Sequence, residues 1–335
     1  MPHLVAAPDK FRGTATAAGV AAAMARAAAS AGWTCDQAPV ADGGEGTMEA
    51  VGGRVRRARV RGPLGEVVEA EWRLVAARDE AAGPTAVIEM AQAAGLELVG
   101  GPEWNDPMRA STAGVGDLIM AALSAQPDRI VVAVGGSATT DGGLGCLSAL
   151  ERRARLAGTE LVVACDVDIP FVEAAEAFAP QKGATPAQVA LLRRRLERLA
   201  QVYLEDYGVD VRSLRGSGAA GGLAGGLAAV GATLLPGFDF VSDAIGLPER
   251  IAGADLVVTG EGFLDEQSFA GKAVGGVVEL AEEAGVPALV VVGESFGDSP
   301  VPTFSLVERF GRDRAMTATT DAVEEAVFEH LRALA

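Results

Sequence analysis

Short apolar runs, each ending at a glycine or a carboxylate, recur along the chain: 4–9 (LVAAPD), 38–46 (APVADGGEG), 129–143 (RIVVAVGGSATTDGG), 161–168 (LVVACDVD), 255–262 (DLVVTGEG) and 288–295 (ALVVVGES). Continuous rather than alternating hydrophobicity over so few residues predicts strands of a parallel sheet buried on both faces. Helical periodicity lies between them. It predicts helices over Thr14–Ala31, where Val20, Met24 and Ala28 share a face and Gly32 stops the run, and over Asp117–Ala125, Pro186–Tyr203, Lys272–Ala284 and Asp321–Leu334. Alternating strand and helix predicts an α/β protein whose ligands bind in the crevice beyond the strand carboxyl ends. From Arg54 to Leu74 the texture changes. Charged and apolar residues alternate around a Gly-Pro-Leu-Gly turn, as in an antiparallel hairpin with one wet face, and its arginines fit a solvated surface better than an anion site.

A length of 335 residues sets an expectation of two domains. We assign 1–57 with 245–335 to one domain built from both chain ends and 58–244 to a second domain inserted into it, with the active site in the cleft between them. The start MPHLVAAPDK turns polar too soon for a secretory leader, and Arg26 and Ser30 spoil the first helix as a membrane span. A net charge of −17 opposes broad contact with nucleic acid or anionic lipid. Cys35, Cys146 and Cys165 have no metal-binding spacing and suit a reducing cytoplasm. With only His3 and His330, acid–base chemistry falls to carboxylates and lysines.

The basic residues number 25 arginines against three lysines, Lys10, Lys182 and Lys272, each in a glycine-flanked motif. Lysine retained against such a bias suggests places where a compact ammonium is needed, and together the three form a trap for an anionic ligand. Glycines gather beside carboxylates. In 41–47 (ADGGEGT), Asp42 and Glu45 flank two glycines whose amides can approach phosphate while the acids hold a divalent cation. In 135–143 (GGSATTDGG), the hydroxyls of Ser137, Thr139 and Thr140, together with Asp141, follow a strand as an anion cradle. Residues 216–222 (GSGAAGG) contain a literal G-x-G-x-x-G with Asp239 beyond it, yet no apolar strand precedes Gly216, which argues against a dinucleotide site. Residues 259–272 gather Glu261, Asp265, Gln267, Ser268 and Lys272, but Glu266 and Ala273 break the Walker A pattern.

Seven of these blocks, VAAPDKFRGTATA, APVADGGEGT, GGSATTDGG, CDVDIP, FAPQKGAT, GSGAAGGLAGGL and DLVVTGEGFLDEQSFAGK, resemble in order the signature blocks of the type-1, 2-phosphoglycerate-forming bacterial glycerate kinases. The resemblance implies a Rossmann- or flavodoxin-like domain with an inserted α/β domain, and Mg²⁺-dependent transfer of the γ-phosphoryl of ATP to glycerate. Thr140 and Ile169 replace residues usual in that family, Lys10 and Arg12 stand where many members have Ser and Lys, and the Leu150–Cys165 connection is shorter than usual. On this reading Gly135, Gly136, Ser137, Thr139, Lys182, Ser217 and Gly218 bind the nucleotide. Lys10, Arg12 and Lys272 neutralise phosphate or the glycerate carboxylate. Glu45, Asp141, Asp166 and Glu261 supply metal ligands, and Asp42, with Asp265 second, takes the hydroxyl proton. The rival readings are an NAD-dependent oxidoreductase and a non-catalytic sugar-acid-binding regulator on the same fold.

Overall fold

The computed structural model describes residues 1–334 apart from Arg12 and the segments 79–82, 151–157, 265–272 and 297–298. Its strands in chain order are β1 (His3–Ala6), β2 (Thr34–Gln37), β3 (Arg54–Arg61), β4 (Val67–Val75), β5 (Thr85–Glu89), β6 (Arg129–Ala133), β7 (Glu160–Ala164), β8 (Thr233–Leu235), β9 (Leu256–Leu264), β10 (Ala288–Ser295) and β11 (Thr303–Ser305). They form two α/β units. One comprises Met1–Asp42, Glu49–Val51 and Phe238–Ala335; the other, inserted into it, comprises Gly43–Met48 and Gly52–Gly237. Residues 52–57 go with the inserted unit because β3 pairs along its whole length with β4.

The first unit carries a five-stranded sheet in the order β11-β10-β9-β1-β2, parallel throughout. Strands β1, β9 and β10 alternate between two buried faces, as the continuous apolar runs predict. Leu4, Ala6, Leu256, Val258 and Leu289 pack with Val20 and Met24 of helix Ala17–Ser30 and with Val323 and Val327 of helix Thr319–Leu334. Val5, Ala7 and Val257 face the other way, onto Ile251 and onto Val277 of helix Ala273–Ala284. Thr16 begins the first of these helices by accepting the Gly19 N–H on its hydroxyl. The run 38–46 is not a strand: β2 ends at Gln37. The N–H groups of Ala38 and Val40 still donate to the carbonyls of Ala6 and Pro8, but the chain then turns through Gly43 (φ +82°) and Gly46 (φ +98°), conformations a strand does not adopt.

The inserted unit has a six-stranded sheet in the order β3-β4-β5-β6-β7-β8. The expected hairpin is present as antiparallel β3 and β4, whereas β5 through β8 run parallel. Strands β5, β8 and β11 lacked a recognisable signal; β8 and β11 span three residues each, too few for periodicity to register. Ile88, Ile130, Val132 and Val163 build the main core with Val115, Leu118 and Ile119 of helix Ala113–Leu123. A satellite core of Phe171, Leu192, Leu196 and Tyr203 seats helix Pro186–Tyr207, which starts in a capping box between Thr185 and Gln188.

Helix Ala113–Leu123 docks on β3 through a side chain and a missing side chain. Asp117 accepts from the Arg61 guanidinium (2.6 and 2.8 Å), while a Cβ on buried Gly114 would lie 1.8 Å from the Arg61 carbonyl oxygen. Gly114→Ala is therefore expected to destabilise the protein by about 1–3 kcal/mol through backbone displacement. A lower urea midpoint checks this; an unchanged midpoint would show that the helix docks without that close approach.

Candidate active site

In the first unit, the chain leaves the carboxyl end of β1 as Pro8-Asp9-Lys10 and packs beside β9. The Asp9 N–H donates to the Gly260 carbonyl (2.9 Å), the Lys10 N–H donates to Asp9 Oδ1 (2.6 Å), and the Thr259 hydroxyl donates to the Ala7 carbonyl (2.8 Å). These bonds hold the Asp9 carboxyl where it is only 8 % exposed. Burial pushes its pKa up to about 7; Lys10 opposes the rise, while the like charges of Asp42 and Glu261 add to it. The Lys10 ammonium stands 3.9 Å from Asp42 Oδ1. Lys10, Asp42 and Glu261, singled out from sequence, thus gather around a carboxylate that was not. The available signal was its place, the first acid after a fully buried strand. Arg12, Asp265 and Lys272 lie outside the described residues.

In the inserted unit, the loop after β6 carries Gly135 to Asp141. Gly136 adopts φ +61°, and a Cβ there would lie 1.9 Å from Glu45 Oε1, which brings the ADGGEGT and GGSATTDGG motifs into contact. Lys182 reaches the same loop from the 3₁₀ turn Pro180–Lys182. Its ammonium donates to Ser137 Oγ (2.7 Å) and the Thr139 carbonyl (2.6 Å), with the residue only 3 % exposed. Both acceptors are neutral. Burial lowers the lysine to about 7, although the Asp141 charge pulls the other way. Asn105 braces this arrangement by donating to the carbonyls of Ala138 and Lys182 (both 2.9 Å). The hydroxyls of Thr47, Thr139 and Thr140 and the Asn105 side-chain oxygen are buried without a hydrogen-bond partner among the described residues. Leaving such a group unmet costs about 1–3 kcal/mol, so several in one region mark a place prepared for a polar ligand. Glu89, absent from the sequence reading, is buried at the end of β5, where it accepts the N–H groups of Gly46 and Met48 (2.9 and 2.8 Å) and fixes the ADGGEGT turn.

Other expected ligand groups are committed within the fold. Both Asp141 oxygens accept hydrogen bonds, from the Thr112 N–H and hydroxyl and from the amides of Gly143 and Gly145, which makes this acid a brace for the loop rather than an open metal ligand. Asp166 accepts from the Gly237 N–H (2.6 Å), and Asp168 pairs with Arg215. The Ser217 hydroxyl, expected to donate to phosphate, donates to the Leu214 carbonyl (2.7 Å), and the Gly218 amide donates to the Ile169 carbonyl (2.9 Å). Ile169 thus contributes a backbone oxygen here, whatever its side chain. Residues Gly216 to Gly222 follow the 3₁₀ turn Val211–Ser213 rather than a strand, which removes the context that a dinucleotide fingerprint requires. The glycines there serve packing: the Gly142 N–H donates to the Gly221 carbonyl (3.0 Å), and a Cβ on Gly221 would lie 2.1 Å from the Thr139 oxygen.

Residues 4–154 and 151–326 match the model of the glycerate kinase family. The chain is 37 % identical over 374 residues to a glycerate kinase of Halalkalibacterium halodurans, covering 97 % of this chain and 96 % of the relative. It is 36 % identical over 355 residues to the glycerate 2-kinase of Escherichia coli, covering 95 % and 90 %. The crystal structure of a Salmonella typhimurium LT2 protein provisionally named glycerate kinase 2 superposes with a TM-score of 0.84 at 34 % identity, over 99 % of this chain and 98 % of that one. Among the described residues, no helix is long and apolar enough to cross a membrane.

The buried Asp9 has a measurable consequence. With a folded pKa of about 7 against an ordinary 3.8, the native state binds more protons than the unfolded state between these values, so stability falls as pH rises through that window. Asp9→Asn removes this penalty. Its unfolding free energy at pH 8 is expected to exceed the wild type's by about 2–4 kcal/mol, and the advantage should shrink by roughly half at pH 5.5. Denaturant titrations at the two pH values check this, and a difference independent of pH would contradict it.

Proposed function

Because this chain belongs to the glycerate kinase family, we propose that it transfers the γ-phosphoryl group of ATP to the C2 hydroxyl of D-glycerate, forming 2-phosphoglycerate. The observation that carries this reading is Lys182, an ammonium buried at the end of β6 whose two acceptors, Ser137 Oγ and the Thr139 carbonyl, are both neutral. An ammonium with no carboxylate among its hydrogen-bond acceptors in the described residues, where burial outweighs the pull of Asp141, favours completion by an anionic ligand. Phosphoryl transfer asks mainly for alignment and for neutralisation of charge on the phosphate oxygens. Lys182, Ser137 and Thr139, with the Gly135–Gly136 turn, meet that demand in the inserted unit.

The first unit carries acid–base chemistry of its own. A buried Asp9 near neutrality suits acceptance of the substrate hydroxyl proton, since a general base works best when its pKa lies near the working pH. Lys10, held beside Asp42, is placed to receive an anionic group such as the substrate carboxylate or a phosphate. Among the described residues no cluster of three metal-ligating side chains is present, but the carboxylates of Asp42 and Glu261, whose charges act on Asp9, are hard oxygen donors, and one or two such groups with nucleotide phosphates suffice for Mg²⁺. Asp42 and Glu261 would hold it, and when bound it spreads positive charge over the phosphate oxygens. The name of the Escherichia coli relative supports the C2 position.

³¹P NMR of the enzyme with ATP, Mg²⁺ and D-glycerate is expected to show the resonance of 2-phosphoglycerate growing as ATP is consumed. A 3-phosphoglycerate signal would overturn the regiochemistry. Nucleotide binding without turnover on glycerate or other sugar acids would favour the regulator reading instead. Lys182→Met is expected to lower kcat/KM by about 10²–10³-fold, the usual loss for one electrostatic donor to a transition state.

A further inference from the structure

Most of the described arginines are paired with acids, as in Arg26–Glu324, Arg129–Glu160, Arg250–Asp36 and Arg309–Glu329. Four that are not share one place in the inserted unit. Arg194, Arg195 and Arg198 project from one side of helix Pro186–Tyr207, and Arg109 faces them from the segment after Asn105. Arg195 donates to the Met108 carbonyl (3.1 Å), and none of the four has a carboxylate partner among the described residues. They surround a cavity of about 720 Å³, within the range of small-molecule sites. Its floor and walls are largely apolar, formed by Met108, Leu144, Leu199 and Val202, and Leu144 is 52 % exposed. Exposed apolar surface inside a ring of unpaired guanidinium groups matches a ligand with a flat apolar body and a strongly anionic tail.

The cavity wall includes Thr140, whose hydroxyl is buried and without a partner among the described residues. The preceding residue, Thr139, offers its carbonyl to the Lys182 ammonium. One peptide bond therefore separates the cavity wall from the residue that holds the buried cation. We infer that the cavity receives the base and ribose of the nucleotide, with Arg109, Arg194, Arg195 and Arg198 taking its phosphates. This assignment rests on the reading above that ATP is the phosphoryl donor, and it adds residues that no motif in the sequence identified. Helix Pro186–Tyr207 then determines nucleotide affinity.

The test uses direct binding of mant-ADP with Mg²⁺, followed by its fluorescence, beside steady-state kinetics. Arg194→Ala/Arg198→Ala removes two exposed charges without disturbing the core. It is expected to raise the mant-ADP Kd at least tenfold, to flatten its dependence on salt, and to raise the KM for ATP while leaving the KM for glycerate within twofold. Ser148→Trp, at an exposed position on the cavity rim, is expected to obstruct mant-ADP and to transfer indole excitation to any probe that still binds. An unchanged Kd in both variants overturns the assignment, and so does a change confined to the KM for glycerate. A wild type that binds mant-ADP and loses it in the variants, yet phosphorylates no acid, keeps the cavity assignment while the proposed reaction falls.

Discussion

The constraint on which the candidate sites of both units depend is the burial of a charged group near the carboxyl end of a parallel strand. Asp9 follows β1 in one unit, and Lys182 reaches the loop after β6 in the other; each is nearly excluded from water. Buried charges in such places are costly, and in both cases burial moves the group toward neutrality despite an opposite charge acting on it. The surrounding fold offsets only part of this cost, through one amide hydrogen bond to Asp9 and two neutral acceptors for Lys182. Free energy withheld from stability in this way remains available when charged ligands arrive, the familiar trade between stability and function.

Holding Lys182 in place requires a loop that cannot relax around it. That rigidity comes from backbone packed on backbone. Gly142 and Gly143 meet Gly221, Gly222 and Gly226 so closely that Cβ atoms would fall 2.6–3.1 Å from their neighbours at Gly143, Gly222 and Gly226. At the centre of the contact Ala220, Gly221 and Gly222 all take positive φ inside what is otherwise a helix, and for Ala220 that conformation is strained. Asp141 completes the brace by accepting from both its own turn and Thr112. Acid and glycines that resemble phosphate ligands in one dimension act here as the scaffold that shapes the loop.

Much of this was legible in the chain. Continuous apolar runs identified β1, β6, β7, β9 and β10, and alternation identified the β3–β4 hairpin, because side-chain periodicity records how many faces of a strand are buried. The lysine scarcity drew attention to Lys182, which the fold buries, and the motif order pointed to the family. Less legible was which member of a motif faces a ligand. Ser217 and Asp141 looked as available as Ser137 and Thr139, yet their hydrogen bonds close on Leu214 and Thr112.

Sequence by itself determined the α/β architecture, the family, and the types of chemistry within reach, since local patterning and residue inventory are properties of the chain. Only the tertiary structure decided that Asp9, which no motif singled out, is buried with a raised pKa, that Glu89 holds the ADGGEGT turn, and that four arginines without acidic partners among the described residues line one apolar cavity. The physical reason is that burial and hydrogen-bond partnership arise between residues far apart in sequence: Asp9 owes its pKa in part to Glu261, and Lys182 owes its acceptors to residues more than forty positions earlier.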